Sequence, residues 1–197
     1  MQNKNIYLSI VIPAYNEEES LTELIKTIEN VCSIHHYSYE IIFVDDGSTD
    51  KTSAIIEEHH QRNQHVKLIR FRRNFGKSAA LSEGFSLAKG EVIITMDADL
   101  QDDPREISNL VAKINEGYDL VSGWKKKRND PLDKTLPSKI FNATTSRLSG
   151  ITLHDFNCGL KAYRYDVIKN IRVYGEMHRF LPVLAFWKGF RVTEIPV

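Results

Sequence analysis

Apolar positions along the chain switch repeatedly between a strand-like and a helix-like period. Tyr7 to Ile12 is a β-rich apolar run closed by Pro13, and Leu21, Leu24, Ile25, Ile28 and Val31 then recur along one helix face. Asn16 stands where it can cap that helix, with Glu19 at its third position. The strand signal returns over Tyr39 to Val44, a helix is expected from Lys51 to His60, and a third strand from Val66 to Phe71. Beyond the loop Arg72 to Lys77, a helix carries Ala80, Leu81, Phe85 and Ala88, with Gly90 as its expected stop. Val92 to Met96 predicts a fourth, buried strand. Asp103, Pro104 and Glu106 then read as the cap, first and third positions of a helix that buries Ile107, Leu110, Val111 and Ile114. Leu120 to Ser122 predicts a short fifth strand. Strands alternating with helices in this way predict an α/β fold, a mostly parallel central sheet flanked by helices.

The pattern changes after Gly123. Trp124 to Pro131 is basic and turn-rich, Ser138 to Leu148 is a weakly amphipathic helix, and Glu176 to Trp187 reads as helical despite Pro182. Arg191 to Val197 alternates like a strand and stops without cap or turn, which predicts a chain cut short of its natural end. A length of 197 residues predicts a single domain, 1–197, with 1–123 and 124–197 as its two halves.

Composition narrows the function classes. Lys plus Arg and Asp plus Glu both number 26, and so balanced a charge argues against nucleic acid as a partner. Cys32 and Cys158 lie far apart and in no metal-ligand spacing, which fits a reducing compartment. Met1 to Asn5 is polar, without the look of a signal peptide, and no run approaches the ~20 apolar residues that span a bilayer. No G-x-G-x-x-G follows the first strand, which disfavours a dinucleotide-dependent dehydrogenase.

The chemistry concentrates just after the fourth strand, in Asp97, Asp99, Gln101, Asp102 and Asp103. Carboxylates this close repel one another unless a cation offsets them, and an all-oxygen ligand set suits Mg²⁺ or Mn²⁺. Pro13 to Glu17 and Asp45 to Ser48 follow the first two strands, and in a parallel sheet such strand ends converge on one edge. There Asp46 is placed to accept from a base or ribose, Tyr15 to pack on the base, and Asp97 with Asp99 to hold a metal on a diphosphate. A turn and helix cap explains Asp45 to Ser48 about equally well, and capping explains Asp103 alone among the later acids.

Val11 to Glu17, Val44 to Asp50, Asn74 to Lys77 and Met96 to Gln101 together resemble the successive motifs of family 2 glycosyltransferases. Their order and wording are similar to the polyprenyl-phosphate sugar transferase branch, over about residues 7–165. The resemblance implies a GT-A fold, a Rossmann-like sheet whose 1–123 half binds a nucleotide-sugar and whose 124–197 half faces the acceptor. It implies that Pro13, Ala14, Tyr15, Glu17, Asp46, Lys77, Asp97 and Ala98 meet the donor, and that Asp97, Asp99 and Gln101 ligate Mg²⁺ or Mn²⁺. His154 to Arg164 resembles the acceptor-side segment, with Asp155 as its acid and Asp99 as the other catalytic residue. Lys125 falls where the branch places a cation near a phosphate, although Trp124-Lys125 stands in place of an expected Ser-Arg pair. The basic run Lys125 to Arg128 reads either as a solvated face or as a contact for lipid phosphate. Cys158 and His154 read as packing residues.

The activity so implied is inverting transfer of a sugar from a nucleoside-diphosphate sugar, UDP favoured over GDP, to a polyprenyl phosphate. It would act on the cytoplasmic side of a membrane, in a longer chain that continues past Val197 and possesses the option of self-association. A saccharide acceptor, or a nucleotide-sugar-binding module without catalysis, stays open beside it.

Overall fold

The computed structural model describes residues 6–125, 142 and 144–197, and the strands among them form one seven-stranded sheet. These are β1 (Leu8–Ala14), β2 (Tyr39–Asp45), β3 (Val66–Arg70), β4 (Val92–Thr95), β5 (Leu120–Trp124), β6 (Lys161–Arg164) and β7 (Val192–Pro196). Their order across the sheet is β3-β2-β1-β4-β6-β5-β7. β1 pairs in parallel with β2 and β4, β2 with β3, and β5 with β7, while β6 runs antiparallel to both its neighbours. The chain steps outward from β1 to β3 and then returns to the other side of β1 to form β4. That reversal opens a crevice beyond the carboxyl ends of β1 and β4, the place where ligands bind in open α/β sheets.

The strands bury both faces, so their residues partition by parity. Ile10, Ile12, Ile41, Phe43 and Ile94 pack under α1 (Leu21–Ile34), α2 (Thr52–Arg62) and α4 (Ile107–Asn115). Val11, Ile42, Val44 and Ile93 pack under α3 (Lys77–Leu87), α5 (Tyr165–Asn170) and α6 (Leu181–Trp187). All five helix-face positions expected for α1 are buried, as are the four expected for α4.

Several local expectations need correction. Asn16 does not cap α1; the N-cap position is Ser20, four residues later. Asn16 instead adopts a left-handed backbone, φ 56°, and its side-chain oxygen accepts from the Thr49 N–H. Gly90 does not stop α3, which ends at Leu87. A Cβ on Gly90 would lie 2.6 Å from the Ser9 nitrogen, so the residue is small because β1 passes against it. Asp103 does accept from the Arg105 N–H, but on a 3-10 turn, Pro104–Glu106, that leads into α4. Pro182 sits in the first turn of α6, where a missing N–H costs nothing. The apolar pattern of the sequence predicts neither β6 nor α5. Lys161-Ala-Tyr-Arg164 carries too much charge to read as a strand, and its place between β4 and β5 decides its conformation.

The basic loop beyond Lys125 and residues 138–141 and 143 of the expected Ser138 to Leu148 helix lie outside the described residues. Residues 144–149 are helical. No helix among the described residues is long and apolar enough to cross a membrane.

Candidate active site

The loops that leave β1 and β2 are laced together by their own polar groups. Asn16 N–H donates to Ser48 Oγ at 2.9 Å, Glu17 N–H to Thr52 Oγ1 at 2.8 Å, and Lys51 N–H to Glu18 Oε2 at 2.9 Å. Asp45 turns inward, accepting from the Ser48 N–H at 2.9 Å and from the Ser53 hydroxyl. The turn-and-cap reading therefore holds for Asp45. Its neighbour faces the crevice. Asp46, 4% exposed, accepts from the N–H groups of Phe75 at 2.7 Å and Gly76 at 2.9 Å, and so ties the Asn74–Lys77 loop to the end of β2. Gly47 makes room for that loop: with φ 77°, its Cβ would lie 2.4 Å from the Arg73 carbonyl carbon.

A cavity of about 330 Å³ results, and most of the expected site residues line it. Pro13, Ala14, Tyr15 and Glu17 come from the end of β1; Asp46 and Lys77 form another wall; Asp97, Ala98 and Asp99 close it from β4. Asp46 thus shares one cleft with Asp97 and Asp99, although it lies far from them in sequence. Tyr15 is exposed. Lys77 Nζ is paired with Asp97 Oδ1. Burial first, then the nearby Asp99 charge, raises the Glu17 carboxyl above its ordinary 4.5.

A deeper chamber of about 420 Å³ adjoins this cavity, sharing Pro13, Lys77 and Asp97 with it. Its far wall is Asn157, Lys161, His178 and Arg179. Sequence reasoning singled out none of these four. β6 brings Lys161 there, because an antiparallel strand puts its amino end beside the carboxyl end of β4, with Lys161 opposite Thr95. Gly159 permits the approach: a Cβ there would stand 2.6 Å from Asp97 Cγ.

Three expected site residues are placed elsewhere. Gln101 does not line the cavity; its N–H donates to Asp99 Oδ1 at 3.1 Å, and a left-handed Leu100, φ 61°, turns the chain between them. Lys125, expected beside a ligand phosphate, has Nζ 2.9 Å from Oδ1 of the buried Asp102. Burial pulls the Lys125 ammonium down and Asp102 outweighs it, leaving the group raised. Asp155, 1% exposed, lines neither cavity; its Oδ1 accepts from the Asn157 N–H at 2.9 Å and so positions a residue that does. Asp102 itself escaped notice as an anchor. Its Oδ2 accepts from the Asp97 N–H at 3.1 Å, which fixes the acid loop from below. Cys158 is buried, which pushes its thiol to about 11, as packing requires of an inert cysteine. His154 stacks on Trp124 at 3.9 Å and pairs with Glu194, joining β5, β7 and the acceptor-side segment.

The donor set fits a hard divalent ion in one specific sense. No three of His, Cys, Asp and Glu among the described residues are gathered as a complete cage. Asp97 and Asp99 supply two carboxylates to one cavity, and Mg²⁺-type sites take one or two carboxylates and complete themselves with water and substrate phosphate oxygens.

Residues 9–172 match the family described as Glycosyl transferase family 2. The chain belongs to that family. Within family 2, it is 41% identical over 191 residues to an undecaprenyl-phosphate 4-deoxy-4-formamido-L-arabinose transferase of Salmonella choleraesuis, over 96% of this chain and 58% of the relative. The chain therefore spans little more than half the length of that relative. The family 2 sheet has the GT-A fold. It superposes on glucosyl-3-phosphoglycerate synthase from Mycobacterium tuberculosis, solved with UDP, with a TM-score of 0.72 at 22% identity, covering 97% of this chain and 70% of that one. A mannosyltransferase from Pyrobaculum calidifontis, solved with GDP-Man and Mn²⁺, gives 0.71 at 21% identity, covering 96% and 54%.

Proposed function

We propose that this chain is the donor-binding, catalytic part of an inverting glycosyltransferase that moves a sugar from a nucleoside-diphosphate sugar to a polyprenyl phosphate. The observation that carries the reading is the convergence of Asp46, Asp97 and Asp99 with Tyr15 and Lys77 on one cavity at the β1/β4 reversal. The acceptor rests on the 41% identity to a transferase named for undecaprenyl phosphate. Action at the cytoplasmic face of a membrane belongs to the same proposal, since it joins a nucleotide-linked donor to a lipid-linked acceptor. UDP is favoured over GDP; solved neighbours of this fold hold either one.

In this reading Tyr15 packs on the base, and Asp46 holds the Asn74–Lys77 loop that closes over the nucleotide. Asp97 and Asp99 would hold Mg²⁺ or Mn²⁺, which would supply Lewis-acid stabilisation of the charge on the departing diphosphate. Lys77 is released from Asp97 to meet a phosphate oxygen. The acceptor phosphate oxygen forms the new bond to the anomeric carbon as the bond to the diphosphate breaks. That phosphate is already ionised, so Asp155 positions the acceptor side rather than removing a proton.

Thermal unfolding with UDP, GDP and ADP, each with and without Mn²⁺, tests the donor site. A ligand at 100 times its Kd adds about 2.7 kcal/mol of stability, which the melting temperature reports. UDP with Mn²⁺ is expected to give the largest rise, and no rise with any nucleotide would refute the reading. Product analysis with polyprenyl phosphate against oligosaccharide then separates the two acceptor classes.

Glu17 offers a pH test of the acid cluster. Its carboxyl binds a proton more tightly folded than unfolded, so it destabilises the folded chain increasingly as pH rises above about 4.5, and not below. Glu17→Gln is therefore expected to raise the melting temperature of the metal-free chain at neutral pH, with the gain vanishing towards pH ~4. A gain independent of pH would show that neither burial nor like-charge repulsion raises the Glu17 carboxyl.

A further inference from the structure

The deeper chamber differs in charge from the cavity in front of it. Glu17, Asp46, Asp97 and Asp99 line the outer cavity, whereas Asp97 is the one acid lining the inner chamber among the described residues, and Lys77 already pairs with it. Lys161 and Arg179 add two further positive groups. Lys161 is the telling one. It is 4% exposed, and its Nζ donates to the Cys158 carbonyl, with no carboxylate in ion-pair contact among the described residues. An ammonium has three N–H donors, and burying it without an anionic partner is costly. Lys161 lines the chamber, and an anion there would supply that partner.

The neighbouring groups are held in place as donors. Ser78 Oγ accepts the His178 backbone N–H at 3.2 Å and lies 2.9 Å from ring Nδ1, so the serine fixes the orientation of the imidazole. Arg179 is steadied by Glu176 at 3.5 Å on its outer side. Asn157 is held by Asp155. Burial lowers both Lys161 and His178, and Lys77 adds to each, while Cys158, Asp155 and Asp97 offset part of this at Lys161 and Glu176 at His178.

We propose that the inner chamber is an oxyanion subsite in which Lys161, Arg179 and His178 receive a phosphate monoester, the reactive group of the second substrate, apart from the nucleotide's diphosphate. This deepens the transferase reading and rests on it for the order of the two sites. The outer cavity needs a metal ion before it can accept a diphosphate. The inner chamber needs none. Its volume, about 420 Å³, lies within the range of small-molecule sites, and the Asp97–Lys77 boundary shared by the two spaces is where the transferred carbon would pass.

Isothermal titration of the UDP- and Mn²⁺-saturated chain with inorganic phosphate, and with a short-chain prenyl monophosphate in micelles, tests the proposal. One equivalent of each is expected to bind without displacing UDP. Arg179→Gln and Lys161→Met are each expected to weaken phosphate about tenfold or more, the scale of one charge-assisted hydrogen bond, while UDP binding and circular dichroism stay unchanged. Tighter binding of the prenyl ester assigns the subsite to a lipid-linked phosphate; equal binding supports the subsite with a water-soluble phosphate. Absence of phosphate binding, or displacement of UDP by phosphate, would overturn it. So would a Lys161-dependent preference for UDP-glucuronate over UDP-glucose, which would make the chamber a reader of the donor sugar. If UDP itself fails to bind, the transferase reading falls, and phosphate titration of the nucleotide-free chain against Arg179→Gln still decides the chamber.

Discussion

Asp99→Ala is expected to lower metal-dependent turnover of a nucleotide-sugar by at least about 100-fold while leaving the fold intact, because preorganised stabilisation of developing charge is commonly the largest catalytic term. The side chain is exposed, and the hydrogen bond it accepts, from the Gln101 N–H at 3.1 Å, is local to its own turn. Its removal therefore costs little stability, about 1 kcal/mol or less. It also removes the charge that contributes most, after burial, to holding the Glu17 carboxyl up. The variant should thus melt near the parent, bind Mn²⁺ more weakly by electron paramagnetic resonance, and lose donor turnover. Gln101→Ala is the matched control. Gln101 lies outside the cavity, so its loss should change Mn²⁺ binding little. Near-parental turnover by Asp99→Ala would remove Asp99 from the metal site, and an equal loss with Gln101→Ala would bring Gln101 into it.

The contrast between Asp99 and Gln101 shows what a linear reading resolves and what it does not. Periodicity located β1 to β5 and the buried faces of α1 and α4, because those positions are set by burial on both sides of a sheet. The carboxyl-end rule for parallel strands brought Asp46, Asp97 and Asp99 to one place. Within the acid cluster itself, spacing could not say which way each side chain turns. A left-handed Leu100 decides that Asp99 faces the cavity and Gln101 does not. The inner chamber was invisible for a different reason. It depends on β6 running against its neighbours, so that Lys161 stands opposite Thr95 and lines the same chamber as Asp97, which nothing in Lys161-Ala-Tyr-Arg164 announces. Asn16 shows a third limit. Its type suits a helix cap, but a competing loop offered its side chain a better partner in Thr49.

Asp102→Ala is expected to cost about 2–4 kcal/mol, since it removes one partner of a buried ion pair and leaves a backbone donor unmatched. Asp102 is buried at the base of the acid loop, where Oδ1 meets Lys125 Nζ at 2.9 Å and Oδ2 holds the Asp97 N–H at 3.1 Å. In a domain of this size each kcal/mol moves the melting temperature by about 2–4 °C, so a fall of roughly 5–15 °C should be seen. The raised Lys125 stays protonated through neutral pH; its contribution persists below the ordinary lysine value of 10.5 and fades as pH climbs through the folded one. Lys125→Met should be comparably damaging, because it strands the carboxylate. The double variant should cost less than the sum of the two, as coupled neighbours do. Turnover should fall along with stability in Asp102→Ala, since Asp97 loses the contact that fixes its backbone. Additive costs in the double variant would mean that the pair does not act as a unit, and full turnover in Asp102→Ala would mean that Asp97 needs no support from below.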